Sequence, residues 1–364
     1  MRCGGDFRFW ITVFPYRIPH SAFRIQGRSM KIALDAMGGD TAPETTIAGA
    51  IRAARELPVD IVLIGPQDVL ATRLDRYRRR PPNLSVIHAP EVIGMDESPV
   101  ASVRKKRGSS INVGVELLRD GKVQAFVSAG NTGAVVSAST LFLGLLPGAE
   151  RPGIGIVLPG LQGETLLIDV GANIAPKPSH LLQYALMGEA YVREVLGRPK
   201  PTVALLNVGE EETKGTDFIR ETYNLLESSG ANFVGNAEGR DLFAGTINVI
   251  VCDGFVGNVA LKTAESMAKA ISQVLKRSLA MSPITRLGAW LSQSAFKAMR
   301  KEIDYAEYGG APLLGVNGVC IIAHGSSTAK AIKNALRAGY ESARHDVNRH
   351  LMAALQRQTQ PIQG

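Results

Sequence analysis

Glycine is paired with asparagine, aspartate, serine or lysine in a series of short runs along this chain. The first is Asp35-Ala-Met-Gly-Gly-Asp40. Five more follow: Ser128-Ala-Gly-Asn-Thr-Gly133, Asp169-Val-Gly-Ala-Asn173, Asn207-Val-Gly-Glu-Glu-Glu-Thr-Lys-Gly215, Asp253-Gly-Phe-Val-Gly-Asn258 and His324-Gly-Ser-Ser327. Glycine lets the backbone come close to a ligand. Unpaired N–H groups at the start of a following helix carry partial positive charge. That chemistry suits an anion such as phosphate. A single Gly-rich turn is usually structural; five that converge point to a phosphate site.

Other chemistries lack their residues. No G-x-G-x-x-G follows the first strand, and no G-x-x-x-x-G-K-[ST] is present. There is no G-x-S-x-G elbow and no H-E-x-x-H or Cys/His cluster. A site rich in Asn, Gly and Lys, without a nucleophile–base pair, fits a substrate that brings its own nucleophile. Phosphate attacking a thioester is such a reaction. The enzyme then orients the pair and stabilises the oxyanion.

Each run needs an element to position it. Short apolar runs precede them: Lys31–Leu34, Ala125–Val127, Thr165–Ile168, Val203–Leu206, Asn248–Val251 and Val319–Ala323. Helix-period segments separate these runs. The alternation predicts an α/β fold with a mostly parallel sheet covered by helices. If the strands are parallel, all the turns share one carboxyl edge, where open α/β sheets bind ligands.

A chain of 364 residues is long enough for one large domain or two ordinary ones. Its 38 glycines and 6% aromatics suit many tight strand-to-helix turns. Cys3, Cys252 and Cys320 form no C-x-x-C pair, which argues for reduced thiols in a reducing compartment. The net charge of +8 is concentrated in residues 2–28 and 262–301, which carry +4 and +7. The remainder is slightly acidic, so the body is no nucleic-acid-binding domain. Residues 1–29 have no apolar h-region. They read as a disordered extension or a start placed too early, with Met30 the functional start. No run of roughly 18 apolar residues predicts a transmembrane helix.

Together, Lys31–Asp40, Ser128–Ala134, Leu167–Asn173, Leu205–Gly209, Asp253–Asn258 and Ala323–Ser327 resemble the bacterial phosphate acyltransferases of the PlsX type. The resemblance runs from Met30 to about residue 345, leaving 346–364 as a C-terminal tail. It implies a three-layer αβα fold like the isocitrate and isopropylmalate dehydrogenases. It implies a homodimer that moves an acyl group from acyl carrier protein to inorganic phosphate, without metal or organic cofactor. The acyl phosphate would feed a membrane glycerol-3-phosphate acyltransferase in phospholipid synthesis. The nearest alternatives are a phosphotransacetylase-like enzyme using acyl-CoA and a non-catalytic membrane scaffold.

Carried onto this chain, the resemblance assigns catalysis to Lys214 and Asn258. A loop lysine is usually a solvated charge, and Asn258 also reads as a helix N-cap. Asn131, Thr132 and Gly133 are candidate phosphate binders, with a tight structural turn as the alternative. Asp169, Asn173 and Lys177 are expected to line the same cleft, although Asp169 could simply fix its loop. His180 reads as a helix-start residue. A structural role is at least as plain for His324.

Residues 259–303 read as a helical hairpin joined at Ser282-Pro283. Met267, Ile271, Leu287, Trp290 and Leu291 are interleaved with Lys and Arg. Apolar residues at helical spacing usually mean core or a dimer seam. With basic residues among them they also describe a helix on an anionic membrane. The first helix is expected in the dimer. Leu287, Trp290 and Leu291 are expected at the bilayer, which makes the enzyme a cytoplasmic protein on the inner face of the membrane.

Overall fold

The apolar runs form strands because alternate residues have separate helical layers to bury against. The structure, a computed structural model, describes residues 30–296, Met299 and 309–357. The expected extension at 1–29 lies outside the described residues. The first half comprises β1 (Met30–Asp35), α1 (Glu44–Glu56), β2 (Val59–Gly65), α2 (Gln67–Leu74), β3 (Leu84–His88), α3 (Pro99–Lys105), α4 (Ser110–Arg119), β4 (Ala125–Ser128) and α5 (Thr132–Phe142). Then come β5 (Gly153–Pro159), β6 (Glu164–Ile168), α6 (Pro178–Glu194), β7 (Val203–Leu206), α7 (Asp217–Glu227), β8 (Phe233–Ala237) and β9 (Val249–Val251). The last elements are α8 (Gly254–Leu279), α9 (Pro283–Leu291), β10 (Ala311–Leu314), β11 (Cys320–Ile322), α10 (Ala329–Arg344) and α11 (Val347–Arg357).

Three layers result. Ile32 and Leu34 of β1, with Ala125 and Val127 of β4, pack in one core with α1 and α10. Ala33 and Phe126, between them, face the opposite layer with α4 and α5. At the other end, Leu166, Ile168, Val249 and Val251 pack with α6, α7 and α11, while Leu167 and Ile250 face away. Each such fully buried Leu, Ile or Val contributes about 1.5–3 kcal/mol. The expected three-layer, mostly parallel α/β fold is therefore what forms.

The strand order is β3-β2-β1-β4-β11-β10-β5-β6-β9-β7-β8. From β3 to β11 the strands are parallel. β10 is antiparallel to β11 and to β5, and β5 is antiparallel to β6. From β6 to β8 the strands are parallel again. Three successive reversals make the second block run opposite to the first. The expectation that all the turns share one carboxyl edge is thereby corrected: they divide between two edges.

One further boundary differs from expectation, and one matches it. Most of the expected tail after residue 345 is helix α11, whose Val347, Leu351, Ala354 and Leu355 are buried in the core with α6. The hairpin joint falls at Ser282, which caps α9, as the sequence suggests. Its first helix is 26 residues long, so about 39 Å. Of these residues only Gly254, Gly257 and Glu265 are buried.

Candidate active site

The first block of strands delivers the loops after β1, β4 and β11 to one place. The Asp35 carboxylate is buried and accepts hydrogen bonds from Ser128 Oγ at 2.7 Å and Met37 N–H at 3.0 Å. Burial pushes its pKa up, against the hydrogen bonds from Ser110 and Ser128. Gly38 passes so close to Gly130 that a Cβ would lie 2.5 Å from its nitrogen. Asp40 N–H donates to the Gly325 carbonyl at 2.8 Å, tying in the β11 loop.

Asn131 closes this cluster. Its Oδ1 accepts from Ala134 N–H at 3.0 Å, capping α5. Its Nδ2 donates to the carbonyls of Gly94, Met95 and Glu97 at 3.1–3.2 Å. The side chain is thus committed to holding the 94–97 loop. Thr132 and Gly133 occupy the first turn of α5, where backbone N–H groups have no partner within the helix. Thr132 is exposed and Gly133 half-buried. Any anion at this end meets backbone and the Thr132 hydroxyl, not the Asn131 side chain.

The second block delivers the loops after β6, β9 and β7. Asp169 is fully buried. Its Oδ1 accepts from the N–H groups of Ile154, Gly171 and Ala172 at 2.9–3.0 Å, and its Oδ2 from Asn173 N–H at 2.7 Å. Burial raises its pKa, and these bonds oppose the rise. Asn173 Nδ2 donates to the Pro152 carbonyl at 2.6 Å and to Tyr184 Oη at 2.7 Å. Both side chains hold the loop in shape.

Helix α8 starts against that loop. Gly254 N–H donates to the Asn173 carbonyl at 2.8 Å. Asp253 is the N-cap, its Oδ1 accepting from Phe255 and Val256 N–H at 3.0 and 2.9 Å. Asn258 is therefore not the cap: it lies one turn inside α8. It faces Gly171, whose added Cβ would sit 3.8 Å from Asn258 Cγ. Gly171 has φ +138°, a conformation favouring glycine.

Lys214 and Lys177 stand at the margin. Both are exposed. Asn207 Nδ2 donates to the Lys214 carbonyl at 3.2 Å, and Gly215 turns the loop with φ +87°. The loop follows β7, which pairs directly with β9, so Lys214 shares an edge with Asn258. Lys177 is the N-cap of α6, and its N–H donates to His180 Nδ1 at 3.0 Å. His180 is indeed a helix-start residue, with Nε2 3.1 Å from Glu150.

The two loop clusters meet through α8. Glu265, eleven residues into the helix from Gly254, lies about 17 Å along its axis. Lys262 Nζ is 3.0 Å from Glu265 Oε2 and 2.9 Å from His324 Nε2, in the loop after β11. Burial holds the His324 pKa down, and the Lys262 charge adds to that. Sequence reasoning missed Lys262 and Glu265, treating both as hairpin charges. The available signal was spacing: Lys262 is four residues beyond Asn258, on the same helix face.

Comparison with known proteins gives the family. The family model described as "Fatty acid synthesis protein" matches residues 30–350. A phosphate acyltransferase of Heliobacterium modesticaldum is 52% identical over 328 residues, spanning 90% of this chain and 97% of the relative. Among solved structures, a phosphotransacetylase from Streptococcus pyogenes matches with TM-score 0.60 at 18% identity, over 87% of this chain and 95% of its own. A 4-hydroxythreonine-4-phosphate dehydrogenase from Klebsiella pneumoniae matches with TM-score 0.50 at 14% identity, over 86% of this chain and 100% of its own. Those two likenesses concern the fold. The extent and identity of the sequence matches show that the chain belongs to the fatty acid synthesis protein family, among its phosphate acyltransferases.

Proposed function

We propose that this chain transfers a fatty acyl group from the thioester of acyl carrier protein to inorganic phosphate. The acyl phosphate then serves phosphatidic acid synthesis through a membrane glycerol-3-phosphate acyltransferase. One observation carries the reading: Asn258 and the first turn of α8 face the Gly171 loop, beside the Lys214 loop, in a chain whose relatives are named phosphate acyltransferases. In the reaction a phosphate oxygen attacks the thioester carbon. The C–O bond forms, the C–S bond breaks, and the proton of hydrogen phosphate ends on the departing thiol. Backbone N–H groups and the Asn258 amide hold the phosphate and the oxyanion. Lys214 supplies positive charge as the oxyanion develops. Thr132 and Gly133 offer backbone donors from the other cluster. Asp169, Asn173 and Lys177 act by keeping the loops in place.

The hairpin belongs to the same reading. Met267, Ile271 and Val274 on α8 are exposed at helical spacing, which suits a homodimer seam. Leu287, Trp290 and Leu291 on α9 are 58–67% exposed, near Arg286 and beyond the basic end of α8 at Lys276 and Arg277. They fit a peripheral contact with the inner face of an anionic membrane. Among the described residues no helix is long and apolar enough to cross a membrane.

The test is direct. The enzyme is incubated with acyl-ACP or acyl-CoA, with and without phosphate, and acyl phosphate is trapped with hydroxylamine. Phosphate-dependent hydroxamate from acyl-ACP is expected. Product from acyl-CoA alone would move the assignment to a phosphotransacetylase-like enzyme. No phosphate-dependent thioester loss from either donor would leave the scaffold reading.

A further inference from the structure

We infer that Lys262, held between Glu265 and His324, is the cation that binds the attacking phosphate where the two loop clusters meet. This rests on the reading of the site as a phosphate acyltransferase centre and names a residue that reading does not use. Asn258 and Lys262 are one turn apart on α8, so their side chains rise from one face about 6 Å apart. An anion lying against Asn258 is thus within reach of an ammonium group there.

The ammonium is positioned from two sides. It donates to Glu265 Oε2 at 3.0 Å and lies 2.9 Å from His324 Nε2. A lysine has three donors, so a third remains. The Lys262 side chain is 52% exposed, which leaves that donor open to a ligand. The Glu265 side chain is only 6% exposed, so its carboxylate is a fixed anchor. Lys177 and Lys214, by contrast, are exposed lysines whose backbones, not their ammonium groups, are held by the loops described above.

His324 faces several charges: Lys262, Glu265 and Lys269 on α8, and Asp40 after β1. Its Nδ1 lies 2.8 Å from Ser326 Oγ. Ser326 N–H donates to the same Nδ1 at 3.1 Å, so the loop after β11 fixes the ring beside Lys262. Glu265 offsets one positive charge, so the dianion needs more than Lys262. Lys269 and the free first-turn amides of α5, at Thr132 and Gly133, supply the balance. Glu265 and His324 are positioning residues, acting through Lys262.

The experiment measures steady-state kinetics of the full-length enzyme with acyl-ACP and varied inorganic phosphate. Lys262→Met and Lys262→Gln should raise the KM for phosphate roughly tenfold to a hundredfold, the range for losing one charge-assisted hydrogen bond. The kcat at saturating phosphate and the KM for acyl-ACP should change little. Lys262→Arg should restore most of the phosphate affinity, whereas a purely structural tie would not show this split. Lys200→Met, the same charge change at an exposed residue just before β7, should match the wild type. Direct binding of inorganic phosphate by calorimetry gives a readout independent of turnover. If folded Lys262→Met and Lys262→Gln proteins bind phosphate as the wild type does, the inference is wrong. If the wild type turns over no acyl donor but loses phosphate binding with Lys262→Met, the functional reading fails and the binding assignment stands.

Discussion

Gly257 of α8 lies directly against the backbone carbonyl of Asp169, leaving no room there for a Cβ atom. Cys252 Sγ would be 2.9 Å from the same Cβ. The β9 turn and the β6 loop are therefore interlocked through backbone, and Asn258 inherits its place from that contact.

Replacing Gly257 with alanine should force the two loops apart. The expected loss is about 1–3 kcal/mol, the usual cost of overpacking a tight site. Urea unfolding of Gly257→Ala measures it. Gly288→Ala on α9 meets nothing within 4 Å and should stay within about 1 kcal/mol of the wild type. Equal stability of both variants would contradict the interlock.

Asn258 and Lys214 are assigned to chemistry, and their side chains are not needed for the loop bonds described above. Lys214→Ala should leave stability within about 0.5 kcal/mol, as for most exposed sites. Both Lys214→Ala and Asn258→Ala should lower the rate of hydroxamate formation on the order of a hundredfold, the scale of losing one oxyanion donor. A full rate for either variant removes that residue from the mechanism.

Glu97 links acid sensitivity to the loop that Asn131 grips. Its carboxylate accepts from Lys106 Nζ, Gly94 N–H and Ser102 Oγ, which lower its pKa from the ordinary 4.5 to about 2, Lys106 having the largest effect. A carboxylate with a depressed folded-state pKa contributes stability that is complete above its unfolded value. That contribution is lost as the pH falls from about 4.5 towards 2. Glu97→Gln should flatten the stability–pH curve across this window. Denaturant midpoints at several pH values from 2 to 7 test this, and a wild-type slope in the variant would refute it.

The α9 face is open to a membrane test. Replacing Leu287, Trp290 and Leu291 together with serine should abolish co-sedimentation with vesicles rich in phosphatidylglycerol. Folding should be unaffected, because no residue of α9 is buried. Raising salt should weaken wild-type binding, since Lys276, Arg277 and Arg286 supply charge. Unchanged sedimentation of the triple variant would place the membrane contact elsewhere or remove it.

The sequence by itself determined the alternation of strands and helices, the glycine turns, the family and the helical hairpin. Burial on both sheet faces leaves a mark at β1, β4, β6, β7, β9 and β11, and glycine marks the turns that follow them, whereas β3 and β8, only partly buried, carry no such mark. Strand direction leaves no such mark, because an apolar run looks the same read either way along the sheet. The reversal through β10 and β5 is decided by pairing between residues far apart in the chain. Tertiary structure also decided what each polar side chain does. Asn131, Asp169 and Asn173 carry the residue types of a phosphate site, yet their side chains are committed to backbone partners and Tyr184. Lys262 and His324 are 62 residues apart, and only the folding of α8 across the sheet brings them within 2.9 Å.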